Sequence, residues 1–238
     1  MAILLLGFFV GSCEKGGNCF EKEGAIVEEE RPVEQYFKFL YTRNQVDVFI
    51  RAGLPAVKAR AGSNLIDLVK TLFTDSAYLV LENKNSCKWL GKFDAIAEAH
   101  VQMSELWQLT HTGVGNITIL DSVTTPYFKT DLYQSAGVCN YLINNEMFVW
   151  YQHSGVTNAF ISGKTKFAVI IEDDRGIVDA RNLSANHVVA ESNGTGDLYV
   201  YATDSLSVTI TGIGDIYYKG NPVIYKNEVS GTGKLIKL

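Results

Sequence analysis

The chain has 238 residues, 47% of them apolar, with a formal net charge of −5 and a mean hydropathy near zero, which suits a folded body of one large domain or two modest ones. Its 21 basic residues form no cluster, and phosphate backbones need clustered Lys and Arg, so nucleic acid is excluded as an expected partner. Four cysteines without a CxxC pair or a Cys/His spacing offer no zinc site, and neither metal nor cofactor is expected.

Residues 2–10, AILLLGFFV, form an apolar run of about nine, too short to span a bilayer and of signal-peptide length. It ends in Val10-Gly11-Ser12-Cys13, which resembles the lipobox of bacterial lipoproteins, although a positively charged start is missing and an N-terminal strand is the alternative. The resemblance implies a signal peptide over 1–12, lipidation of Cys13, and attachment to a membrane through that lipid anchor. Export leaves Cys19, Cys87 and Cys139 in an oxidising compartment, where Cys19 with Cys87 is a possible disulfide that spacing alone does not decide.

Residues 13–32, rich in Glu, Gly and Lys, read as a tether. A β-rich region is expected over 33–107. Tyr36–Thr42 and Val46–Arg51 read as strands joined by a turn at Asn44-Gln45. Ala56–Ala61 alternates, Asn64–Leu72 carries a short helix-like spacing, and Tyr78–Glu82 alternates again. Over 97–103, Ala99, Val101 and Met103 are expected inside, His100 and Gln102 outside.

From residue 108 to 238 a glycine motif repeats. Gly113 and Gly115, Gly194 and Gly196, Gly212 and Gly214, and Gly231 and Gly233 form Gly-x-Gly pairs, each followed by a polar residue and Ile or Leu. Single glycines at 137, 155 and 176 fill the gap, giving intervals between successive corners of 22, 18, 21, 20, 18 and 19 residues (115 to 137, then 155, 176, 196, 214 and 233). A period near twenty marks a repeated strand–corner–strand unit, whose apolar face is buried only by stacking. Leu206, Val208 and Ile210 alternate with Ser207, Thr209 and Thr211 as one strand of such a unit. The pattern by itself does not separate a parallel solenoid from a meander of hairpins.

These corners, together with Glu105-Leu106-Trp107, Tyr218-Lys219-Gly220-Asn221-Pro222 and the lipobox, resemble the auto-transporter adhesin head GIN domain family of Bacteroidetes-type lipoproteins. The resemblance covers roughly residues 30–238. It implies an all-β, right-handed parallel β-helix (β-solenoid), similar to pectin-lyase-like solenoids without their catalytic residues, and a role in adhesion at the cell surface or the periplasmic face of the outer membrane.

Sharper chemical readings fare less well. Calcium nonapeptide repeats recur every nine residues, not twenty. A dinucleotide fingerprint needs a third glycine and a following helix. Asn116, Asp197 and Asp215 are expected to accept corner N–H groups as Asx turns, and His111 and His153 to be exposed corner residues too far apart along the stack to share a metal. Asp173-Asp174-Arg175 is expected to be a solvated turn; as a carbohydrate-cleaving group it would make the protein a carbohydrate-active enzyme on the same scaffold. Tyr199, Tyr201 and Tyr217 alternate with inward residues and form a candidate binding-face strip for a glycan or a protein, with simple cross-strand packing as the bland alternative. The expectation is a non-enzymatic, adhesin-like binding module; a purely structural envelope protein is the third possibility.

Overall fold

A computed structural model describes residues 23–85 and 97–238. Cys13, Cys19 and Cys87, and with them the expected signal peptide, lipidation and disulfide, lie outside the described residues. The regular structure among the described residues is strand, apart from one 3-10 turn at Ile66–Leu68, at the place of the helix-like spacing.

The strands are β1 (Ile26–Arg31), β2 (Phe39–Arg43), β3 (Asp47–Ala52), β4 (Ala56–Gly62), β5 (Val69–Thr74), β6 (Tyr78–Asn83), β7 (Ala97–Met103), β8 (Gln108–Val114) and β9 (Ile117–Ile119). They continue with β10 (Tyr127–Ala136), β11 (Val138–Gln152), β12 (Asn158–Glu172), β13 (Val178–Ser192), β14 (Leu198–Ile210), β15 (Ile216–Lys219), β16 (Val223–Val229) and β17 (Leu235–Lys237). Part of the expected tether is therefore strand: β1 runs antiparallel along β4, with Glu28 opposite Arg60 and Glu30 opposite Lys58, both acids exposed and Glu28 within ion-pair reach of Lys58 and Arg60.

Two sheets face each other across the core. The first runs β5–β6–β2–β8–β10, then through the C-terminal halves of β11 to β14, to β16. The second runs β1–β4–β7–β3–β9, then through the N-terminal halves of β11 to β14, to β15 and β17. Strands β11 to β14 each bend through a corner and serve both sheets, and every pairing except β1–β4, β4–β7 and β5–β6 is parallel. The arrangement is a β-solenoid of about six turns with a repeat near twenty residues. Asn193-Gly194, a dipeptide that favours hairpin loops, sits here at a corner between parallel rungs.

The strand order is not the chain order. The rung β2/β3 lies between β6/β7, which come later, and β8/β9. A single apolar cluster threads the stack from Phe37 to Ile216, with Phe128, Tyr141, Phe148 and Trp150 as its aromatic centre. The inward set of the alternation is buried as expected (Ala99, Val101, Met103, Leu206, Val208 and Ile210), but Ser207, on the alternate set, is buried as well.

The corners explain the glycines. A Cβ on Gly155, Gly194, Gly212 or Gly231 would lie 2.0–2.1 Å from a carbonyl oxygen of the rung beneath, and one on Gly115, Gly137, Gly176, Gly196, Gly214 or Gly233 would lie 1.8–2.4 Å from one. Rungs at strand spacing leave no room for a side chain there. The two columns also correct the register of the single glycines. Gly155 belongs to the first column and Thr157 takes the second place in its rung, so the intervals are 157 − 137 = 20 and 176 − 157 = 19.

Beside the glycines runs a polar ladder. Asp47 accepts the Asn116 N–H at 2.7 Å, Asn116 accepts that of Val138 at 2.9 Å, and Asn158 accepts that of Ile177 at 2.9 Å. Asp197 accepts the Asp215 N–H at 2.9 Å and Asp215 that of Lys234 at 2.7 Å. Asn116, Asp197 and Asp215 were expected to close local turns; with Asp47 and Asn158 they join each rung to the next instead, because the nearest unpaired N–H at a solenoid corner belongs to the following rung.

Candidate binding face

Residues that alternate outward from the second sheet line up across the rungs. Thr118, Asn140, Phe160, Asp179, Tyr199 and Tyr217 are successive register partners, and Phe49 and His100 continue the row toward β4. The row passes two hollows.

The larger hollow, about 670 Å³, lies over β3, β7 and β4 and is rimmed by Glu28, Arg51, Lys58 and Leu120. Phe49 and His100 stack across adjacent strands at 4.9 Å and 13°. Lys58 is 3.4 Å from Glu28, and Arg60 is 2.8 Å from Glu98 beside it, so most of the charge near the rim is already matched.

The smaller hollow, about 330 Å³, follows along the same row and is lined by Asn140, Leu142, Phe160, Ser162, Asp179 and Asn182, among others. A bulge in β13 builds one wall. Phe160 pairs with Asp179 but Ser162 with Asn182, and on the other side Asp179 pairs with Tyr199 but Ser184 with Tyr201. The extra residues push Arg181 and Asn182 out of the plain alternation, the usual effect of a bulge on side-chain aim.

Beyond this hollow stand the expected tyrosines, which share the face. Tyr199 and Tyr217 stack at 4.6 Å and 8°, and Arg181 from the opposite neighbouring strand sits 4.2 Å over the Tyr199 ring. Asp179 holds Arg181 at 2.8 Å, a bond that raises the guanidinium pKa further. Tyr201 carries the Lys219 ammonium at 4.7 Å. Desolvation, and after it the charges of Asp197 and Asp215, raises the Tyr217 pKa. Tyr199 thus has a neighbour on each ring face, whereas Phe160 is 50% exposed with no aromatic partner among the described residues.

The opposite face carries a cluster that sequence reading missed. Asp131, 3% exposed, takes Lys129 at 2.9 Å and His153 at 3.0 Å on one oxygen and Gln108 at 3.1 Å on the other. The His153 ring stacks on Tyr133 at 4.2 Å and on Tyr151 at 3.6 Å, so it is a packed residue. His111 is fully buried, also against expectation: the period-2 alternation of β8 turns it inward with Leu109, and its Nδ1 lies 2.6 Å from Thr42 Oγ1. Desolvation lowers its pKa to about 4.

Asp173 and Asp174 are occupied by the corners. Asp174 accepts the Gly155 N–H at 2.7 Å, Asp173 accepts the Asn193 side-chain amide at 2.8 Å, and Arg175 stays exposed. Cys139 is buried as a free thiol, its pKa pushed up by desolvation to about 12. Among the described residues no group of three His, Cys, Asp or Glu is placed to hold a metal ion.

The sequence profile of the family described as "Putative auto-transporter adhesin, head GIN domain" matches residues 37–222, from just before β2 to just before β16. The chain belongs to this family. Among solved structures it resembles a Bacteroides fragilis protein described as a "putative adhesin", with TM-score 0.82 at 22% identity over 90% of this chain and 97% of that one. It also resembles a Parabacteroides distasonis protein described as a "Putative lipid binding protein", with TM-score 0.65 at 16% identity over 90% and 97%, and one from the same species described as a "putative adhesin", with TM-score 0.64 at 18% identity over 90% and 98%. At these identities the likeness is one of fold. No curated protein matches the chain.

Proposed function

We propose that this head GIN domain protein is a non-enzymatic, lipid-anchored binding module of the outer membrane that holds an extended surface polymer across the rungs of its second sheet. The observation that carries the reading is the placement of both hollows and the aromatic row on one continuous face. Exposed aromatic side chains beside polar groups, gathered on one side of a rigid scaffold, are what polymer binding requires. The engagement of Asp173 and Asp174 in corner bonds supports binding over cleavage.

The test is a screen of the full chain, with and without chelator, against cell-surface polysaccharides and matrix proteins. Phe49→Ala is expected to weaken a bound polymer several-fold, while Phe167→Ala, exposed on the first sheet, leaves it unchanged. Turnover of a polysaccharide that Asp173→Ala with Asp174→Ala abolishes would favour the enzyme reading instead.

A further inference from the structure

We propose that the smaller hollow is a subsite for one uncharged pyranose unit, with Phe160 as the stacking platform and Asn140, Asn182 and Asp179 as its hydrogen-bonding rim. This rests on the polymer-binding reading and names where and by what chemistry one unit is held.

Phe160 is the half-exposed aromatic of the hollow, and among the described residues neither Asn140 nor Asn182 has a hydrogen-bond partner on its side-chain amide. Each amide offers two donors and a carbonyl acceptor. Asp179 spends Oδ1 on the Arg181 backbone N–H at 3.2 Å and its Nε at 2.8 Å, which leaves Oδ2 as a further acceptor. An apolar plate ringed by planar amide and carboxylate groups matches a sugar ring, whose C–H face is apolar and whose rim carries hydroxyls that donate and accept.

Other ligand classes fit less well. The charge of Asp179 is balanced by Arg181, so the hollow has no unmatched charge to select an anion or a cation. A peptide strand has no edge to pair with, since β11, β12 and β13 are hydrogen-bonded on both sides here. The volume, about 330 Å³, lies at the small end of ligand sites and suits a single ring.

The experiment is calorimetric titration of the full chain with neutral gluco-, manno-, xylo- and galacto-hexaoses and with oligogalacturonate as the anionic probe. At least one neutral oligomer is expected to bind, with affinity changing less than about twofold between low and high salt, as expected where no charges pair. Phe160→Ala should weaken it about tenfold or more, Phe160→Trp should retain it, and Asn140→Ala with Asn182→Ala should weaken it several-fold. All three positions are on the solvent face, so circular dichroism and melting temperature serve as the folding control. Failure of every neutral oligomer to bind, or binding unchanged by Phe160→Ala, overturns the subsite. If a polymer is still lost with Phe49→Ala, the wider face reading stands without it; if no ligand depends on either position, both fall.

Discussion

Glu172 shows how a single inward position sets a pH response. It stacks between Gln152 and Ser192 in register, fully buried, with Oε1 accepting the Asp174 N–H at 3.1 Å. Among the described residues its Oε2 and the Gln152 Oε1 have no partner, an arrangement that penalises the charged form. Desolvation raises its pKa from 4.5 to about 7. An acid with a raised native pKa gives stability that is whole below pH 4.5 and is lost as pH rises to about 7. His111 runs the other way, its contribution whole above pH 6.5 and lost as pH falls toward 4, so the two largely cancel in the wild type. The melting temperature of Glu172→Gln minus that of the wild type should therefore grow between pH 4.5 and 7 and then level. The expected span is on the order of 1–2 kcal/mol once solvent screening is allowed for, roughly 2–8 °C, and a difference independent of pH would contradict it. The signal for Glu172 was in the sequence: Ala168 and Ile170 alternate into the core and the next step is 172. The acidic pair that follows disguised it as part of a wet turn.

At the scale of the corner, close approach and the polar ladder carry separate loads. Gly196→Ala would put a Cβ 1.8 Å from the Gly176 carbonyl oxygen and should cost at least about 3 kcal/mol in denaturant melts, or prevent folding. Asp215→Ala leaves the Lys234 N–H without its 2.7 Å acceptor and should cost roughly 1–2 kcal/mol. Asp215→Asn should retain most of this, as Asn116 and Asn158 do the same work elsewhere in the ladder. The Gly-x-Gly corners were legible because contact between rungs permits no other residue. The central corners were harder to read, since Asp174 and Thr157 occupy column places where a side chain has found room. The hollow on Phe160 was not legible at all. It depends on a bulge in β13, and period-2 alternation gives no sign of where extra residues will be absorbed.

For the whole molecule, strand alternation told which faces are buried but not which strands are neighbours, so the interleaving of β2/β3 between β6/β7 and β8/β9 had no sequence signal. Stability along such a stack is local to neighbouring rungs. Hydrogen exchange should be fastest in β16, which is exposed along nearly its whole length, and slowest in the two-sided strands β11 to β13; uniform protection would contradict this. The interleaving also dictates a timetable for synthesis. Phe39 finds Tyr78 on one flank 78 − 39 = 39 residues later and Gln108 on the other only 108 − 39 = 69 residues later, so a nascent chain can cover one flank of its β2/β3 rung with β6 and β7 but holds the other open until β8 has left the ribosome. After that point every new twenty residues meet a finished template, and folding changes from a search among distant segments to growth at one end.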